Sequence, residues 1–283
     1  MIPNIRNLTE ADFKDIDPVL MAAYGKTSSF KSDLQRYLAL QPDGWLIAEC
    51  DGVPVGMVGA VDYGAIAYVG VLGVHPTFQR QGIGLMLMKQ ILEWLDKRGC
   101  PSVVLDATTA GVPIYARLGF IEVEKSLVFQ QETAPQFLPS RTKRVSALRS
   151  TDLTALAAFD TPLFGADRQT VFAAFLSEFP DRAFIAYDQT GQVVGYLLAQ
   201  PQNLGPWAAS TLEAAEALLA RGLLLPFEDV PRVLLPGSNR IATTLLMRYR
   251  FTKQSVLSHM CRGKNTALGK RAMLYGMASF ALG

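Results

Sequence analysis

Residues 71–84 read VLGVHPTFQRQGIG, and the reading of this stretch decides the fold. Val71, Leu72 and Val74 look like the end of a buried strand, and Pro76 has no amide to extend a ladder, so the pattern predicts a turn at His75 and Pro76. From Ile83 the apolar residues return at helical spacing, as Ile83, Leu87, Ile91, Trp94 and Leu95, which predicts a helix starting there and stopping near Arg98, before Gly99. Lys97 and Arg98 at its end and the Glu93/Lys97 pair agree with that stop. The run Leu85, Met86, Leu87, Met88 reads as packing rather than a ligand surface.

The first turn of such a helix holds amide N–H groups with no partner inside the helix, and the helix dipole adds partial positive charge there. Gly82 and Gly84 have no side chain to block a close approach, and Arg80 supplies a full charge, so the turn suits an anion such as a pyrophosphate. The spacing Gln/Arg-x-x-Gly-x-Gly/Ala alone is weak, with about 0.3 chance matches expected in a chain this long at average residue frequencies. A P-loop needs Gly-Lys-Ser/Thr, which is absent, and the dinucleotide fingerprint needs glycine where this chain has Gln79.

Leu72, Val74, Pro76, Gln79, Gly82 and Gly84 together resemble the acyl-CoA-binding motif of the GNAT superfamily of N-acyltransferases. A second segment, Tyr115-Ala116-Arg117-Leu118-Gly119-Phe120, is similar to the Tyr-x-x-x-Gly-Phe run that closes the helix after that family's fifth strand, with Gly119 suited to a helix C-terminus.

At 283 residues the chain is long enough for about two domains on a prior of roughly 150 residues each. A net charge of +2 with 18% charged residues argues against a nucleic-acid footprint. Cys50, Cys100 and Cys261 lack CxxC or His/Cys spacing, so neither a disulfide framework nor a metal site is expected, and a reducing cytoplasm fits. The first residues, MIPNIRNLTEADF, show no secretory apolar stretch. The apolar run 272–282 is shorter than the roughly 20 residues that span a bilayer, which leaves a buried tail or a homodimer interface as its readings.

Residues 2–8 read as a strand, and Thr9 and Asp12 as a helix start with Phe13, Ile16, Leu20 and Tyr24 facing inward. A second helix is expected over 29–40, strands over 45–50 and 53–62 around an Asp51-Gly52 hairpin turn, and a central strand over 66–74. This order is the GNAT layout over residues 1–130, and the resemblance implies an α/β (α+β) fold, a mixed, mostly antiparallel sheet flanked by helices. Residues 131–144, with Pro135 and Pro139, read as a linker. Then the chain begins again: Ile5, Leu8, Asp12 and Phe13 recur at an offset of 140 as Val145, Leu148, Asp152 and Leu153. The Ile47-Ala48 and Val55-Gly56 pairs recur as Ile185-Ala186 and Val194-Gly195, and residues 115–120 recur weakly as 246–251. The second copy, 145–262, lacks the glycine loop. There a helix is expected over 207–221 with Pro206 in its first turn, and Leu246 and Arg250 replace the tyrosine and the glycine. Gly165-Ala166-Asp167-Arg168 and Gly205-Pro206-Trp207 look like bacterial tandem GNAT proteins whose second domain is degenerate. Arg168 reads equally as a salt-bridge or an acceptor-site residue. Residues 263–283 form the apolar tail.

The resemblance implies an N-acetyltransferase that uses acetyl-CoA as cosubstrate, without a metal, and transfers the acetyl group to a primary amine of a small molecule by direct attack. A non-catalytic acetyl-CoA sensor or a protein N-acetyltransferase is the alternative. It further implies cofactor contacts at Leu72, Gly73, Val74, Gln79, Arg80, Gln81, Gly82, Ile83, Gly84, Leu85 and Thr108, where relatives often carry Asn, and a backbone oxyanion donor at Val74. Tyr115, protonated at neutral pH with an ordinary pKa of about 10, is the candidate general acid for a departing thiolate. Tyr68, Val69, Gly70 and Val71 offer no acid on the central strand, so the base is left among Asp106, Asp62, His75 and a water chain.

Overall fold

The computed structural model describes residues 3–132, 145–264 and 269–283; the expected linker lies outside these from residue 133. The first half runs β1 (Asn4–Asn7), α1 (Phe13–Tyr24), α2 (Lys31–Leu40), β2 (Trp45–Cys50), β3 (Val53–Asp62), β4 (Ala67–Val74), α3 (Ile83–Lys97), β5 (Ser102–Ala107), α4 (Val112–Arg117) and β6 (Ile121–Gln131). The second runs β7 (Val145–Ala147), α5 (Leu153–Phe164), α6 (Gln169–Glu178), β8 (Ala183–Tyr187), β9 (Val193–Ala199), β10 (Leu204–Ala209), α7 (Leu212–Gly222), β11 (Arg232–Pro236), α8 (Arg240–Arg248) and β12 (Phe251–Gly263), and the tail adds β13 (Leu274–Gly276).

Local chemistry accounts for the ends of these elements. The Asp12 carboxylate accepts from the Thr9 amide (2.8 Å) ahead of α1, as the sequence predicts. Asp51 and Gly52 both take positive φ (52° and 79°), which closes the β2–β3 hairpin in two residues. Gly119 ends α4 at φ 87°, and its counterpart Arg250 adopts the same left-handed turn at φ 63° despite its side chain. In β2, Trp45 and Ile47 face α1, while Leu46 and Ala48 face α3, so helices cover both sides of the sheet. Trp45 stacks on Tyr37 at 4.6 Å and lies so close over Gly59 that a Cβ there would fall 1.7 Å from the indole.

The hydrogen-bonding crosses the boundary between the halves. One sheet has the order β1-β2-β3-β4-β5-β12-β6-β11, and the other β13-β10-β9-β8-β7. Each half's fifth strand therefore lies against the sixth strand of the other half: β5 pairs antiparallel with β12, and β11 with β6. A parallel bridge between Asn203 and Arg232 links β11 to the residue that precedes β10, so the second half continues the first with the same internal order.

The expected helix over 207–221 is corrected. Residues 204–209 form a strand and the helix starts at Leu212. Pro206 sits where the β9–β10 register breaks, between Leu204 and Trp207, a position that requires no ladder amide. The apolar tail is buried within its own chain: Tyr275, Met277, Ala278, Ala281 and Leu282 are all inside, and Tyr63 Oη donates to the Leu282 carbonyl (2.9 Å). Among the described residues no helix is long and apolar enough to cross a membrane.

Arg168 proves to be a buried salt-bridge residue. Its Nε and Nη2 donate to both Asp160 oxygens (2.7 and 3.0 Å), and Nη1 donates to the Gly283 carbonyl (2.9 Å). The guanidinium lies 4.1 Å over the Phe164 ring. Replacing it strands the Asp160 charge, so Arg168→Met is expected to lower unfolding free energy by about 3–5 kcal/mol in urea titrations, and the double variant Asp160→Leu/Arg168→Met to lose less than that single change.

Candidate active site where two strands part

The parallel strands β4 and β5 pair only at Ala67/Val103 and Tyr68/Val104, and then diverge. Just beyond, the β3–β4 register shifts between Gly59/Gly70 and Met57/Gly73. Val71 occupies this bulge at φ 55°, a conformation that costs a β-branched residue about 1–3 kcal/mol and turns the backbone away from its regular path. From there to Val74 the strand borders the gap left by β5. Side chains take two of its carbonyls: Tyr24 Oη donates to Leu72 (3.1 Å) and Gln79 Nε2 to Val74 (3.0 Å). Gln79 is thus a clamp that holds the following loop to the strand, and the irregular backbone lies at Val71 rather than at Val74.

Arg80 (φ 61°) and Gly82 (φ 84°) bend that loop into the start of α3. Ile83 is buried and pins the turn to the core, whereas Gln79, Arg80, Gln81, Gly82 and Leu85 are exposed. A Cβ built on Gly82 meets nothing within 4 Å, and one on Gly84 meets only Val74 Cγ2, at 3.8 Å. The protein's own atoms thus stay clear of the amides of this turn, as the diphosphate of coenzyme A requires, and the residues present fit that group.

Tyr115 lies on α4 beside the gap, its ring 6.0 Å from that of Phe120 and its Cε2 3.0 Å from where Gly111 would carry a Cβ. Burial pushes its phenol up to about 12, so it is protonated at neutral pH. Thr108 is exposed at the start of α4, where its carbonyl accepts from the Gly111 (2.8 Å) and Val112 (3.1 Å) amides.

The candidate bases are otherwise engaged. Asp62 is ion-paired with Arg98 Nε (2.8 Å), at the opposite end of α3 from the glycine loop. His75 Nδ1 contacts Thr77 Oγ1 (2.8 Å) within its own turn. The Asp106 side chain is fully buried and accepts from Tyr68 Oη, from Ser126 Oγ (2.5 Å) and from His259 Nδ1 (3.1 Å). Burial alone would raise its pKa, but the His259 ring, Arg271 and Ser126 outweigh that and hold it below the usual carboxylate range. Held by three donors and sealed from solvent, this carboxylate positions its neighbours. Sequence reading missed His259, which comes from the other half and whose buried Nε2 has no partner among the described residues.

A cavity of about 770 Å³ reaches β4 at Val71. The α1–α2 connection forms one wall, with Lys26 and Phe30. Gln200, Asn203 and Arg232 of the second half form another, and tail residues 278–281 a third. The tail rests directly on β4: a Cβ on Gly70 would fall 2.5 Å from Ala281 Cα.

The second half repeats the parting of strands between β10 and β11, but there the tail fills the gap. β13 pairs with β10, and the Met277 amide donates to the Leu234 carbonyl on β11 (2.6 Å). The first turn of α7 is capped by Thr211 Oγ1, which accepts from the Ala214 amide (3.2 Å), and carries the acid Glu213. Neither feature suits a phosphate.

Comparison with known proteins agrees with this geometry. The profile of the acetyltransferase (GNAT) family matches residues 3–120, and that of an acetyltransferase (GNAT) domain matches residues 156–276. An acetyltransferase of Pectobacterium atrosepticum is 36% identical over 97 residues, 32% of this chain and 67% of its own length. Matches to the first curated relatives span 51% to 67% of their lengths. The crystal structure of a proposed acetyltransferase from Pyrococcus horikoshii superposes with a TM-score of 0.87 at 24% identity, covering 99% of this chain and 96% of that one. A tandem GNAT protein from the clavulanic acid biosynthesis pathway gives a TM-score of 0.65 at 15% identity, over 93% of this chain and 99% of its own. The likeness to these two structures is one of fold. With the two profiles matched one after the other, this chain belongs to the GNAT family of acetyltransferases, in its tandem form.

Proposed function

We propose that this protein is an N-acetyltransferase that transfers the acetyl group of acetyl-CoA to a primary amine of a small acceptor, with the first half catalytic. The observation that carries this reading is the bulged edge of β4, which lies between a glycine loop clear of side chains and a walled cavity. Acetyl-CoA, when bound, supplies a thioester open to direct attack by a neutral amine. Arg80 and the amides of Gly82, Ile83 and Gly84 hold the diphosphate, and the backbone edge from Leu72 to Val74 orients the pantetheine arm. Backbone N–H groups at the bulge stabilise the oxygen that gains charge. Tyr115 Oη donates a proton to the departing sulfur, whose conjugate acid has a thiol pKa of about 8.5. The acceptor gives up its own proton to water at the cavity mouth, where Lys26, Ser28 and Ser29 are exposed. The enclosing second half and tail favour a small acceptor over a peptide, which needs an open groove.

Two experiments check this reading. In calorimetry the wild-type chain should bind one CoA. Gly84→Leu, whose side chain projects into the space over the loop, should weaken binding at least about 100-fold, the loss of roughly one to two charge-assisted hydrogen bonds, with its melting temperature nearly unchanged. Thiol release with an amine panel should fall about 100-fold in kcat for Tyr115→Phe; a wild-type chain that binds CoA but turns over no amine overturns the proposal.

The Tyr115 phenol also sets a stability signature. Unfolded tyrosine ionises near about 10, whereas the folded group holds its proton to about 12. Its contribution is therefore complete below the unfolded value and is lost as pH rises through the folded one. The stability difference between wild type and Tyr115→Phe should shrink by roughly 2 kcal/mol across that window in urea titrations.

A further inference from the structure

The cavity at Val71 is lined by the charged side chains Lys26, Asp33, Arg36, Glu178, Glu228 and Arg232. They sum to zero but are not evenly matched. Arg36 occupies both neighbouring acids, donating through Nε and Nη2 to the Glu178 oxygens (2.7 and 2.9 Å) and through Nη1 to Asp33 (2.8 Å). Glu228 accepts from Gln202 Nε2 (3.1 Å). Among the described residues, Lys26 and Arg232 have neither an ion pair within 4.0 Å nor a side-chain hydrogen bond. Lys26 lies over the Phe30 ring at 4.8 Å.

These two cations come from opposite halves, Lys26 from the connection after α1 and Arg232 from the first residue of β11. Partial loss of water lowers the Lys26 pKa, Asp33 restores part of the shift, and Arg232 lowers it again. Two like charges that face one cavity raise each other's energy, and an anion that reaches both relieves this. Beside Arg232 the wall is polar. Asn203 Nδ2 donates to the Met277 and Ala278 carbonyls (both 3.2 Å), while its buried Oδ1 has no partner among the described residues. The glycine loop that fits the cofactor's phosphates lies past Val74, outside the cavity lining, so this second cationic site is separate from it.

We infer that Lys26 and Arg232 form a carboxylate subsite, and that the acceptor is an amine that also carries a carboxylate, of the amino-acid class, held with its nitrogen toward Val71. This rests on the acetyltransferase reading for the nitrogen end. The carboxylate end stands on the two unpaired cations.

The test pairs amino acids with their carboxamides, which keep the amine and lose the negative charge. With the full chain, kcat/KM should favour the acid over the amide by about 10- to 100-fold, the worth of one charge-assisted hydrogen bond. Lys26→Met or Arg232→Met should each erase most of that preference, and Lys26→Arg should retain it. Calorimetry with N-acetyl amino acids and their amides reads the same subsite without turnover. If no amine is acetylated yet N-acetyl amino acids bind in a Lys26-dependent manner, the subsite stands and the acetyltransferase reading falls. Equal handling of acid and amide, a preference unmoved by either methionine variant, or no binding of acids in either assay overturns the proposal.

Discussion

A single buried carboxylate fixes the place where the strands part. Asp106 is sealed from solvent yet held in its charged form, and a charge in that setting is tolerable only when donors surround it. Its donors are Tyr68 on β4, Ser126 on β6 and His259 on β12, so with its own β5 it ties four strands together at one point. Tyr68 is also the last β4 residue paired with β5. The lock therefore sits at the apex of the gap, and the free edge, the bulge at Val71 and the cavity wall all radiate from it.

Duplication supplied the rest. Both halves make the same sequence of strands, and the exchange of sixth strands means that neither completes its sheet alone. One parting keeps its glycine loop and an edge that β5 leaves unpaired. The other has lost the loop and taken up the chain's own β13, so that half now serves as a wall of the first half's cavity. Absence of the glycine loop from the second copy thus coincides with a share in the cavity lining.

Much of this was legible because it is local. The glycines at 82 and 84, the apolar spacing of α3, Tyr115 ahead of Gly119 and the Asp51-Gly52 turn each depend on neighbours a few residues away. What escaped the sequence depends on distant partners. Asp106 meets Ser126, Tyr68 and His259 at separations of 20, 38 and 153 residues, and no periodicity marks such a meeting. Lys26 and Arg232 look like ordinary surface charges until the fold sets them around one cavity. Residues 207–209 read as the start of a helix, with Pro206 in its first turn, because proline suits that position. Here it sits at an irregular point of a strand, where its missing amide is equally harmless.

The placement of β12 also bears on how the polypeptide is made. During synthesis β5 and β6 leave the ribosome long before residues 251–263, and in the finished sheet they are separated by that late strand. Until it arrives both carry unsatisfied edges, the state in which nascent chains most readily find wrong neighbours. The amino-terminal portion is thus obliged to wait for the carboxyl-terminal one. A coding sequence split between the halves would leave each fragment with an open border and a strand that belongs to the other.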